Sequence, residues 1–266
     1  MIVPEDQQHC RRLGEIIERA LRQGRLLFAF QPIVCAATGE IDYFECLLRL
    51  REENGTIRAG GEFIAALEAQ GTIGMIDRHV FEMALGEVAR HPGIKLGFNI
   101  SGLTACDRIW LRHLVSALRR SPEVARRLVV EITETAALGD LEESARFVDT
   151  VRAAGCRVAL DDFGAGHTTL RHLDHLAIDT VKLDISLVRL VETSPAHRGV
   201  LRHLVGLARS IGFGLVAEGV ESAREAALLS AEGVGYLQGY HFGKPTVERI
   251  WLARAAAPEA AIAKAG

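Results

Sequence analysis

The stretch RLVVEITETAALGDLEESARFVDTVRAAGCRVALDD, residues 127–162, decides the fold. Its two ends, RLVVEIT (127–133) and CRVALDD (156–162), are short runs rich in branched apolar residues, the pattern of buried strands. Between them LEESARFVDTVRAAG (141–155) repeats apolar residues at helical spacing and closes on Gly155. Two strands joined through a helix need a crossover connection, and a crossover makes them parallel.

The same alternation extends in both directions. LLFAFQPIV (26–34), IDYFECLLRL (41–50) and KLGFNIS (95–101) come before, and TVKLDIS (180–186), FGLVAEG (213–219) and GYLQGYHFG (235–243) come after, giving eight candidate strands. Helical stretches separate them, among them residues 63–88, 198–212 and 222–233. The first gap, Cys35 to Glu40, is too short for a helix. It reads as a hairpin with Thr38-Gly39 at the turn, so strands one and two should be antiparallel. Ahead of them, Cys10 to Gln23 carries Leu13, Ile16, Ile17, Ala20 and Leu21 on one helical face, with Gly24 as the stop.

The expected fold class is therefore α/β, a (β/α)₈ TIM-like barrel with an antiparallel first strand and an N-terminal helix. No linker, charge block or low-complexity segment divides the chain, so residues 1–252 read as a single barrel domain. The Ala-rich tail 253–266 reads as a C-terminal extension.

Composition narrows the function. A chain of 266 residues buries enough surface to stand without staples, and five scattered cysteines with no CxxC pair suit a reducing compartment. The net charge of −3 argues against duplex nucleic acid as a partner. Charges interrupt every apolar run before a membrane span is reached, and the opening MIVPEDQQHCRR lacks the apolar core of a signal peptide. The expected location is cytoplasmic.

Polar residues fall where a barrel would need an active site. Glu45 lies in strand two, Asn99 ends strand three, Glu131 lies in strand four and Asp161 with Asp162 ends strand five. Lys182, Glu218 and Gln238 follow in strands six, seven and eight. Any one of them alone would pass as a helix cap, a surface residue or a satisfied core amide. Together they aim five carboxylates and one lysine at a single rim, a crowd that cannot stay ionised in a half-buried cavity without cations. Oxygen donors without His or Cys select Mg²⁺, Mn²⁺ or Ca²⁺ over Zn²⁺. Adjacent Asp161 and Asp162 could serve two ions, an arrangement that supports hydrolysis of phosphoryl esters.

These segments resemble the EAL-type phosphodiesterases that open cyclic di-GMP. The resemblance runs from about Leu21 to Pro245 through FQPIV, FECLLRL, NIS, EITET, DDFGAG, VKLD, AEGVE and QGYHFGKP. It implies that Glu45, Asn99, Glu131 and Asp161 hold a first Mg²⁺ or Mn²⁺ and that Asp161, Asp162 and Glu218 hold a second. It also implies that Lys182 holds the attacking water with support from Gln238, and that Glu218 has been viewed as a general base. Glu134 would anchor the loop after strand five, and Glu221 would stand behind the metal ligands. For the substrate, the resemblance implies Arg49 at the phosphodiester and Gln31 at a guanine, with Asp184 also on the substrate side. A homodimer and inhibition by Ca²⁺ are expected on the same ground.

Departures from the family pattern are local. Cys46 replaces the signature alanine, Leu50 stands where a tryptophan is common and is expected to alter packing below the guanine, and the strand-five loop carries Ala165, His167, Thr168 and Thr169. His172 and His175 have the spacing of a metal pair, but no nearby Cys completes a zinc set. GxSxG and a P-loop are absent. Two rival readings are a catalytically silent module that binds cyclic di-GMP or docks to a protein, and an enolase-type lyase with Lys182 as its base. Silent relatives typically lack a metal ligand, and none is missing here. The lyase reading leaves QPI and AEGVE unexplained.

Overall fold

Branched apolar runs form nine strands in the computed structural model, which describes residues 4–133, 137, 141–165, 173 and 175–252, with side chains from residue 12 onward. The strands are β1 (Leu26–Cys35), β2 (Ile41–Arg51), β3 (Ile57–Ala59), β4 (Leu96–Ile100), β5 (Leu128–Thr133), β6 (Arg157–Phe163), β7 (Thr180–Leu183), β8 (Gly214–Ala217) and β9 (Tyr236–Gln238). Eight of them close into a barrel in the order β1-β9-β8-β7-β6-β5-β4-β2, with β2 returning to β1. The chain thus has the expected barrel with its N-terminal helix, here Pro4–Arg22.

The barrel is mixed because the first gap is short. Cys35 and Glu40 are bridged by a backbone hydrogen bond of 2.8 Å, and Gly39 takes φ +71°, which glycine reaches without a Cβ clash. β1 therefore runs antiparallel to β2 and, on its other side, to β9. All other neighbours round the wall are parallel. The ninth strand, β3, was not among the eight expected. It pairs antiparallel with the outer end of β2 and lies outside the closed cylinder.

Helices follow the strands with legible ends. The apolar stretch 63–88 divides at Gly71, φ +66°, into Ile64–Ala69 and Ile73–Arg90. Asp107 caps Arg108–Arg119 by accepting from the backbone N–H groups of Ile109 and Trp110. Ser194 caps Pro195–Ile211, which ends at Gly212 in the left-handed region.

Side-chain alternation splits the apolar residues into two bodies. Phe30, Phe44, Cys46, Leu48, Leu50, Phe98 and Leu160 face outward into the helix-packed core. Ile33, Tyr43, Val129, Ala159 and Val216 fill the inside of the cylinder. Leu50 thus belongs to the outer core. No helix among the described residues is long and apolar enough to cross a membrane. Cys35, Cys46, Cys106 and Cys156 are free thiols, while the side chain of Cys10 and the tail 253–266 lie outside what is described.

Candidate active site

Two residues further toward the mouth than the apolar plug, the same inward faces turn polar. β2 presents Glu45 two positions after Tyr43, β5 presents Glu131 two after Val129, and β6 presents Asp161 two after Ala159. Lys182 follows Thr180 in β7, and Gln238 follows Tyr236 in β9. Glu218 comes directly after β8. Gln31 joins them because β1 runs backwards and pairs it with Glu45.

Lys182 stands at the centre, fully buried. Its Nζ lies 2.8 Å from Glu131 Oε2, 2.9 Å from Glu218 Oε1, 3.1 Å from Asp161 Oδ1 and 3.3 Å from Glu45 Oε2. Amide donors hold Glu45 from two more sides. Asn99 Nδ2 donates to its Oε1 at 2.8 Å, and Gln238 Nε2 donates to its Oε2 at 2.6 Å. Gln238 Nε2 also reaches Gln31 Oε1 at 3.1 Å.

One ammonium among three buried carboxylates and the half-buried Glu218 leaves excess negative charge, and the proton affinities divide accordingly. Burial pushes Glu131 up to about 8 and Glu218 up to about 7, and it raises Asp161 and Asp162 as well. Burial would raise Glu45 too, but the Lys182 charge and the two amides hold it below the usual carboxylate range. Burial alone would lower Lys182, yet the surrounding carboxylates hold it well above its ordinary value.

The donor set fits divalent cations. Glu45, Glu131 and Asp161 bring carboxylate oxygens within 4.8 Å of one another, and so do Asp161, Asp162 and Glu218. Asp161 belongs to both triads. Glu131 Oε1 is buried with no hydrogen-bond partner among the described residues, as an acceptor reserved for a cation would be. A bulge makes the second triad. The β6–β7 register slips between Leu160 and Phe163, and Asp162 takes φ +58°. The extra residue lets two consecutive acids serve one site, and Asp tolerates the left-handed region better than most side chains.

The remaining residues expected at the site are distributed unevenly. Arg49 lines the same cleft of about 320 Å³ as Glu45, Asn99, Asp161 and Asp162. Its Nη1 donates to the Leu48 carbonyl at 2.9 Å, and it forms no ion pair among the described residues. Asp184 caps the helix Ile185–Thr193 through Ser186 N at 2.8 Å, near enough to raise the proton affinity of Asp162. Glu221 is not brought to the cluster. Its exposed carboxylate faces Arg189 at 3.5 Å, because the turn after β8 carries it past the rim. Glu134, His167 and His172 lie outside the described residues.

Three contributors escaped the sequence reading. Gly97, paired with Glu45 across β2 and β4, leaves the space that Glu131 fills; a Cβ there would sit 2.2 Å from Glu131 Oε1. Tyr43, one layer below Glu45, buries a hydroxyl with no partner among the described residues. Asp77 lies in the cleft and accepts from Ser101 N at 3.0 Å. Its signal was present, since it interrupts the stripe Ile73, Ile76, Val80, Phe81 and Ala84.

Fold and site together define an acidic, lysine-centred pocket at the C-terminal mouth of a barrel. A family model described as EAL domain matches residues 15–245, and the chain belongs to that family. The probable cyclic di-GMP phosphodiesterase PdeA of Escherichia coli is 32% identical over 233 residues, covering 86% of this chain and 32% of the relative. The cyclic di-GMP phosphodiesterase NbdA of Pseudomonas aeruginosa is 27% identical over 239 residues, covering 88% and 30%. The chain thus spans about a third of the length of these curated relatives. Among solved structures, the FimX EAL domain from Pseudomonas aeruginosa bound to c-di-GMP superposes with a TM-score of 0.82 at 26% identity, covering 89% of this chain and 97% of that one.

Proposed function

We propose that this chain is a cyclic di-GMP phosphodiesterase that hydrolyses one diester bond to give linear pGpG, with two Mg²⁺ or Mn²⁺ ions as cofactors. The observation that carries the reading is the assembly round Lys182: Glu45, Glu131, Asp161 and Glu218 all lie within 3.3 Å of its Nζ, and Asp162 completes a second triad. Relatives named for this activity and the similar FimX EAL domain bound to c-di-GMP support it.

Glu45, Asn99, Glu131 and Asp161 would hold the first ion, and Asp161, Asp162 and Glu218 the second. Such a pair of ions supplies an acidified water and neutralises charge on the phosphoryl oxygens. The chain's own groups do the rest. Lys182 is placed to orient the water and keep it positioned against phosphorus, with Gln238 fixing Glu45 beside it. Glu218, whose Oε1 lies 2.9 Å from Lys182 Nζ, is placed beside the same water and could take its proton. Arg49 meets the phosphodiester with a charge that the acidic pocket leaves unpaired. Gln31 and Asp184 flank the substrate. A homodimer in the cytoplasm, built on a barrel domain of residues 1–252, completes the proposal.

The test is incubation of the purified chain with cyclic di-GMP and Mg²⁺ or Mn²⁺, following linear product by chromatography. Glu45→Ala should slow product formation by at least about 100-fold, the order expected when a cation loses an anionic ligand. Intact substrate in every divalent metal, together with tight binding by calorimetry, would leave a silent cyclic di-GMP-binding module instead.

A further inference from the structure

A larger concavity than the candidate active site lies on the flank of the barrel. It is a groove of about 900 Å³ between the helices Arg108–Arg119 and Leu141–Ala153. One wall is a single stripe of the first helix: Arg108, Leu111, Arg112, Val115, Ser116 and Arg119, spaced i, i+3, i+4, i+7, i+8 and i+11. The other wall is the matching stripe Glu143, Arg146, Phe147 and Thr150. Leu111, Val115 and buried Phe147 make the floor apolar, while Arg108, Arg112, Arg119, Arg120 and Arg146 rise from it as exposed side chains.

The charge is lopsided. Five arginines line the groove with one acid, Glu143, and that acid is shared between Arg108 at 3.2 Å and Arg146 at 2.9 Å. Arg112 and Arg119 form no ion pair or side-chain hydrogen bond among the described residues. Yet the chain as a whole carries −3. Arg108 and Arg112 stand four apart on one helix face, and Glu143 compensates Arg108 but not Arg112.

We infer that this groove docks an acidic amphipathic helix of a partner protein. Charge complementarity selects the sign, and the geometry selects the shape. The arginines of the first helix are spread along about 16 Å, three turns, which an acidic helix of equal length can match turn for turn and a single phosphate group cannot. The apolar floor between two helices receives the ridge of a third, the helix-in-groove mode of recognition. A flat bilayer does not reach the floor of a concave groove, and a net charge of −3 disfavours duplex nucleic acid.

Fluorescence anisotropy of the full chain with a labelled synthetic helix tests this. The probe has about 12 residues, a leucine ridge and glutamates on both flanks, and its control has glutamine for every glutamate. The acidic peptide should bind in a salt-sensitive manner, at least about tenfold more tightly than the control. Arg112→Glu with Arg119→Glu should abolish that preference, and Arg112→Gln with Arg119→Gln should reduce it. Both double variants should keep wild-type melting temperature and wild-type cleavage of cyclic di-GMP. Failure of the acidic peptide to bind, equal binding by the charge-reversed variant, or binding of tripolyphosphate or phosphatidylglycerol vesicles in its place would each overturn the inference.

Discussion

Lys182 is where burial and charge conflict most sharply. Removing it would leave three buried carboxylates and the half-buried Glu218 without the ammonium that touches them all. Lys182→Met is therefore expected to destabilise the chain by about 3–5 kcal/mol in chelator, with part of the loss recovered in Mg²⁺, as urea unfolding in the two buffers would show. Equal stabilities for wild type and variant in chelator would contradict that electrostatic account. Gly97 acts by what it lacks. Gly97→Ala places a methyl group 2.2 Å from Glu131 Oε1, and Tyr43 crowds the same point at 2.7 Å, so Glu131 must leave its position. Mn²⁺ affinity should fall by about 10- to 100-fold, the effect of losing a ligand's support; calorimetric titration reads it, and an unchanged affinity would show that Glu131 is not a ligand.

At the scale of elements, two local irregularities shape the mouth. The bulge in β6 was invisible in DD at 161–162, because the sequence shows two acids in a row and alternation sends neighbours to opposite faces. Only the register slip and the positive φ of Asp162 bring both to one site. The second irregularity is Asp77 in the buried stripe of the helix Ile73–Arg90, where burial raises its carboxyl from 3.8 to about 6. The folded state then holds this proton more tightly than the unfolded chain does. Its stabilising effect is complete below about pH 4 and is lost as pH rises through about 6, by up to about 3 kcal/mol. Asp77→Asn can keep the hydrogen bond from Ser101 while removing the titration. Urea unfolding of the two proteins between about pH 4 and pH 7 should show wild type losing stability relative to the variant, and parallel curves would remove Asp77 from the account.

At the scale of the whole molecule, ions should stabilise the barrel because the acids and Asn99 that would bind them come from four different strands and the turn after β8. Mg²⁺ at about 100 times its dissociation constant should add about 3 kcal/mol to unfolding, a rise in melting temperature that Lys or Gln substitutions at Glu45 and Asp161 should erase. Ca²⁺ prefers more ligands and a looser shell than Mg²⁺. Excess Ca²⁺ is expected to bind the same acids and suppress cleavage of cyclic di-GMP, and full activity under those conditions would count against a tightly octahedral site.

The amino-acid sequence by itself determined the barrel and most of its polar rim. Strand and helix periods are local properties, and charged residues at the ends of buried runs stand out without any coordinates. Tertiary structure alone decided three matters: that Glu221 faces Arg189 and not the acids, that Gly97 makes room for Glu131, and that Arg112 and Arg119 share a groove with Arg146 from another helix. Each depends on which faces meet across strands or helices far apart in the chain. Spacing along one segment cannot specify that, because closure of the cylinder sets the pairing.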